Sequence, residues 1–428
     1  VNGRITALNA GIAAFVAPRV VNNGVISARL GRVALAGSSR FTLDLAGDGL
    51  INFAAGDGVS TGSDETGVTI GAAGKILANS GKIYLSAQDA RAVVNAAVRV
   101  DGLVSASNSI RNEDGSVTLG NGQAGIVNAN SQGLASITGA IEAAGNNGGT
   151  ISIQARAISQ GGTVAANGLN QGGSVVLNAA GQLSLAGTTS ANGELSLGVG
   201  GAISYSAGSV FETSSGVTLA NGGARGGSIS VAVAGNFMTS GTYQANASHS
   251  KKGFGGRIDI SANDVRLFSA NLSAVGSAQG GLVRLGGEFQ GGRIPDVAQS
   301  YYQDFIGRWG DLTSVNNAQS LFVNDTTNIA VSSSRGKGGT AVMWSDAVTT
   351  FLGAIDARGA GGRGQGGAVE ISSAADLRQA SLVRVLTGSG GNLLLDPKNI
   401  VIGDASTVQS WSYAGIIGSG YSNNGKNI

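Results

Sequence analysis

Residues Gly148–Ala155 read GGTISIQA, and this stretch decides the fold. Thr150, Ser152 and Gln154 alternate with Ile151, Ile153 and Ala155, so an extended chain turns the aliphatic set to one face and the polar set to the other. The phrase returns at Gly172 (GGSVVLNA), Gly226 (GGSISVAV), Gly255 (GGRIDISA), Gly280 (GGLVRL), Gly338 (GGTAVMW), Gly366 (GGAVEIS) and Gly390 (GGNLLL). Neighbouring onsets lie 24 to 29 residues apart, except for the interval of 54 between Gly172 and Gly226, which holds two units, and the interval of 58 between Gly280 and Gly338. A second short strand often follows, as at Gly162–Ala166 (GTVAA) and Gly353–Ala357 (GAIDA). Toward the start a variant appears: NNGVISA from Asn22, GRVALAG from Gly31 and NSGKIYLSA from Asn79.

A unit of this length carries two or three short strands and cannot bury its own apolar face, so units must stack. Stacking gives parallel ladders about 4.8 Å apart around a continuous apolar column. The sequence therefore predicts an all-β fold, a parallel β-helix (β-solenoid) of about 25-residue coils. Strand twist favours a right-handed coil without fixing its hand. Gly and Asn between strands are expected to supply corners with positive φ. The competing architecture is an antiparallel sandwich or propeller, which would place two-residue Asn-Gly turns at alternate junctions; the unit length fits one coil better.

Composition narrows the function. Of 428 residues, 73 are Gly, three are Pro and none is Cys; charged residues make up 12% and the net charge is +2. Glycines without a three-residue period exclude collagen, and 42% apolar content with little charge excludes a disordered chain. Without Cys there are no disulfides, thiolate zinc sites or cysteine nucleophiles. With aromatics at 5%, the core is expected to consist of Val, Ile, Leu and Ala. No stretch approaches the roughly 20 apolar residues of a membrane helix. The start, Val1-Asn2-Gly3-Arg4-Ile5, carries no signal sequence, which is expected to be removed or to lie outside this chain. Basic residues stand singly, so nucleic acid is not an expected partner.

Three segments follow: coils over 1–286, an aromatic-rich excursion over 287–328 packed on the coils, and coils again over 329–428. In the excursion the alternation lapses while Phe289, Tyr301, Tyr302, Phe305 and Trp309 crowd together, and Val297, Tyr301 and Phe305 fall on one face of a short helix. These five aromatics are the candidate surface. With Asp304, Arg308 and Asp311 beside them they suit stacking on a sugar or anchoring a partner protein. They equally suit a small satellite core that seals the excursion to the coils.

Residues for catalysis or metal binding are sparse. The one histidine, His249 in NASHSKKG, has no carboxylate nearby in sequence to orient it and reads as a solvated corner. Arg335-Gly-Lys337 and Glu113-Asp114 fall in turns. Asp44-Leu-Ala-Gly-Asp48-Gly49 lacks calcium ligands, with Ala46 and Ala55 where oxygens are needed. Gly359–Gly367 carries no Asp, unlike calcium-binding repeats. No cofactor, metal or catalytic residue is expected.

Beyond these patterns, Asn22–Ala28, Gly31–Ala36 and Leu43–Ile51 (LDLAGDGLI) resemble the stretch at and just after the secretion domain of two-partner secretion exoproteins of the filamentous haemagglutinin type. Gly336–Ser372 and Gly390–Gly403 (GGNLLLDPKNIVIG) are similar to segments common in such proteins. The resemblance implies a right-handed β-helix exported across the outer membrane of a Gram-negative bacterium by a dedicated barrel partner, and a role as adhesin or biofilm-matrix component. The Asn-Pro-Asn-Gly and Asn-Ser-Asn-Gly type motifs of that secretion domain do not occur here, so that domain is expected to lie upstream of Val1 or to have been cleaved. The polar run Tyr421–Ile428 carries no recognisable cap, as expected of a section of a longer exoprotein.

The expected function is an extracellular adhesive rod or fibre whose main partner is another copy of itself, end-to-end or side by side, because low net charge leaves little to hold rods apart. A glycan or host surface is a further partner. A polysaccharide-cleaving β-helix enzyme, or a binding module centred on 287–328, are the alternatives.

Overall fold

A computed structural model describes residues 1–37, 67–87, 98–111, 117–119, 122–293, 299–310, 312–360, 365–380 and 384–403. Outside them lie Asp44–Asp48, Leu43–Ile51, Glu113-Asp114, Val297, Asp311 and Tyr421–Ile428; so do the side chains of Tyr301 and Tyr302, although their backbone is described. The chain divides into two units, Val1–Gly223 and Ala224–Ile428. In each the strands form three parallel sheets, and successive strands of one sheet come from successive coils. This is the predicted parallel β-solenoid.

In the first unit the deciding stretch becomes the strand Thr150–Ala155, with Ile151 and Ile153 buried and Gln154 exposed. It lies parallel between Ile126–Ser131 and Ser174–Ala179. Ile151 stands between Val127 and Val175, and Ile153 between Ala129 and Leu177, so like side chains stack in columns down the interior. The outward neighbours are uncharged and mostly polar: Asn128, Ser152, Val176 and Ser204 form one row. At a corner, Asn167 Oδ1 accepts the Asn192 N–H at 2.9 Å and Asn192 Oδ1 accepts the Asn221 N–H at 2.8 Å. One antiparallel pair, Ser109–Arg111 with Val117–Leu119, interrupts the pattern.

Two expectations need correction. The interior is not purely aliphatic: Tyr205 and Phe211 are buried and stack at 5.5 Å, and the Tyr205 hydroxyl meets Thr218 Oγ1 at 3.0 Å. Most repeat glycines do not mark positive-φ corners: Gly390 does, at φ 70°, but Gly148, Gly149, Gly172 and Gly173 do not. Their role is close approach. A Cβ on Gly149 would overlap the Gly125 carbonyl oxygen, which accepts the Thr150 N–H from the next coil, and Gly173 stands in the same relation to Gly149. Backbone cannot yield as a side-chain end can, so the column excludes any larger residue.

In the second unit, one sheet contains Ser228–Val233, Arg257–Ser261, Leu282–Leu285, Thr340–Met343, Ala368–Ile371 and Asn392–Leu394 in order. Here the alternation of burial vanishes: all four residues of Leu282–Leu285 and of Thr340–Met343 are buried. The outward row that is polar elsewhere reads Asp259, Arg284, Val342, Glu370, Leu394. Something covers it.

Candidate functional site

The cover is the aromatic excursion. Its neck is closed where the Ala318 N–H donates to the Gly286 carbonyl at 2.6 Å, with Gly286 at φ +74°. Beyond the neck come a short 3₁₀ turn, Phe289–Gly292, and the helix α1, Gln299–Trp309. The third sheet of the unit resumes at Ser320–Val323 and the first at Asn328–Ala330, so the end of the span read as excursion is coil. The inward aliphatic pair Leu321 and Val323 makes that strand pay its way in the core.

Arg284 holds the start of the cover. It is 1% exposed; its Nε donates to Asp259 Oδ1 at 2.7 Å, Nη1 to Glu288 Oε1 and Oε2 at 3.0 and 2.9 Å, and Nη2 to the Thr313 carbonyl at 3.0 Å. Burial alone would lower its pKa, but Asp259 and Glu288 outweigh that and raise it. Glu288 Oε1 also accepts the Val315 N–H at 2.6 Å. Asn317 Nδ2 donates to the Gly291 carbonyl at 3.0 Å and to Asp346 Oδ1 at 3.1 Å, and Asp346 Oδ1 also accepts the Trp344 indole N–H at 3.0 Å. Gly291 has φ +63° and lies on the Trp344 ring, where any Cβ would collide.

The aromatics close the cover onto the sheet. Phe289 and Phe305 are buried and packed with Leu282 and Val342, while Trp309, Ile306, Leu312 and Leu394 flank them. The Trp309 indole N–H donates to Thr340 Oγ1 at 3.0 Å. Arg308 pairs with Asp304 at 2.7 Å and donates to the Gly338 carbonyl at 3.2 Å, and Lys337 stands 3.5 Å from Asp304. The structure thus gathers Phe289, Phe305 and Trp309 into one satellite core. Tyr301 and Tyr302 contribute backbone to α1.

Three charged residues that sequence reasoning missed share this site: Arg284, Glu288 and Glu370. Glu370 is 1% exposed, and its Oε1 and Oε2 accept the Gln290 N–H at 3.2 and 3.0 Å. Gln290 sits at φ 52°. Burial pushes the Glu370 carboxyl up to about 8, against the Gln290 N–H and the Ser372 hydroxyl and with a further contribution from Asp396. A cleft of about 340 Å³ lies over it, between Phe289, Phe305, Thr340, Asn392 and Leu394. The enclosed part holds little more than a water molecule, too little for a sugar ring.

His249 is a turn cap: its Nδ1 accepts the N–H groups of Lys251 and Lys252, each at 3.1 Å. Among the described residues no group of three His, Asp or Glu is placed to hold a metal, and no helix is long and apolar enough to cross a membrane.

No family model matches the chain, and no curated protein sequence matches it. Among solved structures the chain is similar to the HMW1 secretion domain from Haemophilus influenzae, with 16% identity and a TM-score of 0.47 over 94% of this chain and 95% of that one. The solenoid assignment stands on the strand registers given above.

Proposed function

We propose that the chain is a section of a secreted structural and adhesive protein, an extracellular β-solenoid at the surface of a Gram-negative cell that associates with further copies of itself. The observation that carries this reading is the outward face of the coils. In the first unit the row Asn128, Ser152, Val176, Ser204 runs beside a second row, Asn130, Gln154, Asn178, Ser206. Uncharged side chains, polar apart from Val176, recurring at about 4.8 Å make a level face. A face of that kind gains its strength by repeating weak contacts many times, and a net charge of +2 opposes it little. The resemblance of Asn22–Ala28 and Gly390–Gly403 to two-partner secretion exoproteins supports export through a barrel transporter.

Sedimentation velocity and negative-stain microscopy over rising protein concentration test self-association, and binding of chain-coated beads to cells tests adhesion. Concentration-dependent assembly with bead attachment is expected. A monomer at every concentration, with uncoated and coated beads behaving alike, would overturn the reading.

A further inference from the structure

We propose that the turn Phe289–Gly292 and helix α1 form a strap whose closure is linked to a proton: covering Glu370 keeps its carboxyl uncharged, and opening, which releases that proton to water, grows easier as pH rises.

The geometry carries the argument. Glu370 stands on the covered outward row, buried, and no cation lies within ion-pair distance of it among the described residues. A carboxylate buried without a cation is unfavourable, so the covered state selects the neutral acid. The one link it makes to the strap is the Gln290 N–H, offered from a residue in the left-handed region. Lifting the strap exposes Glu370 to water, where it ionises at the ordinary carboxylate pH. Opening therefore releases a proton wherever the covered acid is still protonated.

The strap can lift without unpairing any coil strand, its contacts with the sheet being the aromatic packing, the Gln290 link and the Trp309 and Arg308 hydrogen bonds. Both of its ends meet at Gly286 and Ala318, and the coil strands Leu282–Leu285 and Ser320–Val323 keep their own parallel partners. The Arg284 fork on Glu288 holds the near end as a hinge.

The charges around Glu370 fit the assignment. From the sheet side, Asp396 disfavours ionisation, and its N–H donates to Ser372 Oγ at 3.1 Å. Arg284, two strands away in the same row, is engaged by Asp259 and Glu288. From the helix, Asp304 lines the cleft but is paired with Arg308 and Lys337. Arg293, which ends the turn, is exposed.

The test is amide hydrogen exchange of the whole chain between pH 5 and pH 9, with rates corrected for the intrinsic pH dependence of exchange. The α1 amides should open about tenfold more readily per pH unit from pH 5 to 7, one proton being released per opening, and level off near pH 8. Amides of Ser174–Ala179 should show no such trend. Glu370→Gln should flatten the profile of α1. Asp396→Asn, a change at an exposed side chain, should bring the levelling to lower pH, and it serves should Glu370→Gln fail to fold. A flat wild-type profile, an unaltered slope in Glu370→Gln, or an unmoved levelling point in Asp396→Asn would overturn the proposal.

Discussion

The rings of Phe289 and Phe305 lie 4.8 Å apart at 8° to each other, one from the turn that begins the cover and one from the helix that completes it. Leu282 and Val342, on two neighbouring strands, form the floor beneath them. The stack joins the two halves of the cover to each other and to the sheet.

Truncating the stack should undo the cover and spare the coils. Phe305→Ala removes a buried ring at a cost of about 3–5 kcal/mol. A loss of that size should open the cover, so limited proteolysis should cut within 289–310 while the circular dichroism of the strands persists. Equal resistance of variant and wild type would show that the stack is dispensable.

Removing the Arg284 fork should cost as much. Arg284→Met leaves Glu288 without its cation and Asp259 with only the pair to Arg257 at 3.0 Å, a loss of about 3–5 kcal/mol in urea unfolding. Arg284→Lys should recover only part of it, because one ammonium cannot reproduce the fork that serves Asp259, both Glu288 oxygens and the Thr313 carbonyl.

Two glycine substitutions should have opposite signs. Gly149→Ala drives a methyl into the Gly125 carbonyl and should cost roughly 1–3 kcal/mol or more, lowering the melting temperature. Gly307 lies in α1 with open space around it, and Gly307→Ala should stabilise the cover by about 0.5–1 kcal/mol, read as slower proteolysis there.

Stability against urea should fall as pH rises. The Glu370 carboxyl lies at about 8 in the folded chain against an ordinary 4.5, so the folded state binds the extra proton. The stabilisation is complete below about pH 4.5 and is lost as pH climbs through 8, with a slope approaching ~1.4 kcal/mol per pH unit between them. Comparing wild type with Glu370→Gln isolates this contribution from every other carboxyl; matching slopes would exclude Glu370 as the source.

The solenoid was legible because its rule is short: GGTISIQA states both the pleat and the coil length, and the same phrase recurs wherever the strands stack. The roles of its glycines were not, since a left-handed corner and a close backbone approach select the same residue. The cover was half legible. Aromatic crowding marked the segment but suited a satellite core and a binding surface alike, and LVRL and TAVMW read as two more copies of the alternating phrase although all four residues of Leu282–Leu285 and of Thr340–Met343 are buried. Arg284 and Glu370 occupy the outward phase, where charged residues ordinarily meet water. Nothing in their immediate sequence says that a segment from elsewhere in the chain lies over them. Arg284, Glu288 and Glu370 could be joined only once the register Arg284–Val342–Glu370 was known.

The neck between Gly286 and Ala318 also bears on how such a chain can change over generations. Because the excursion leaves and rejoins the coils at one neck, where the Ala318 N–H meets the Gly286 carbonyl and the Glu288 N–H meets Asn317 Oδ1, the segment beyond it can lengthen, shorten or be exchanged while the coils on either side keep their pairing, provided that Arg284 and Glu370 stay covered. The coil here acts as a socket. Different inserts can be tried on one unchanged scaffold, and the same junction offers a place to graft a foreign peptide onto the side of a solenoid.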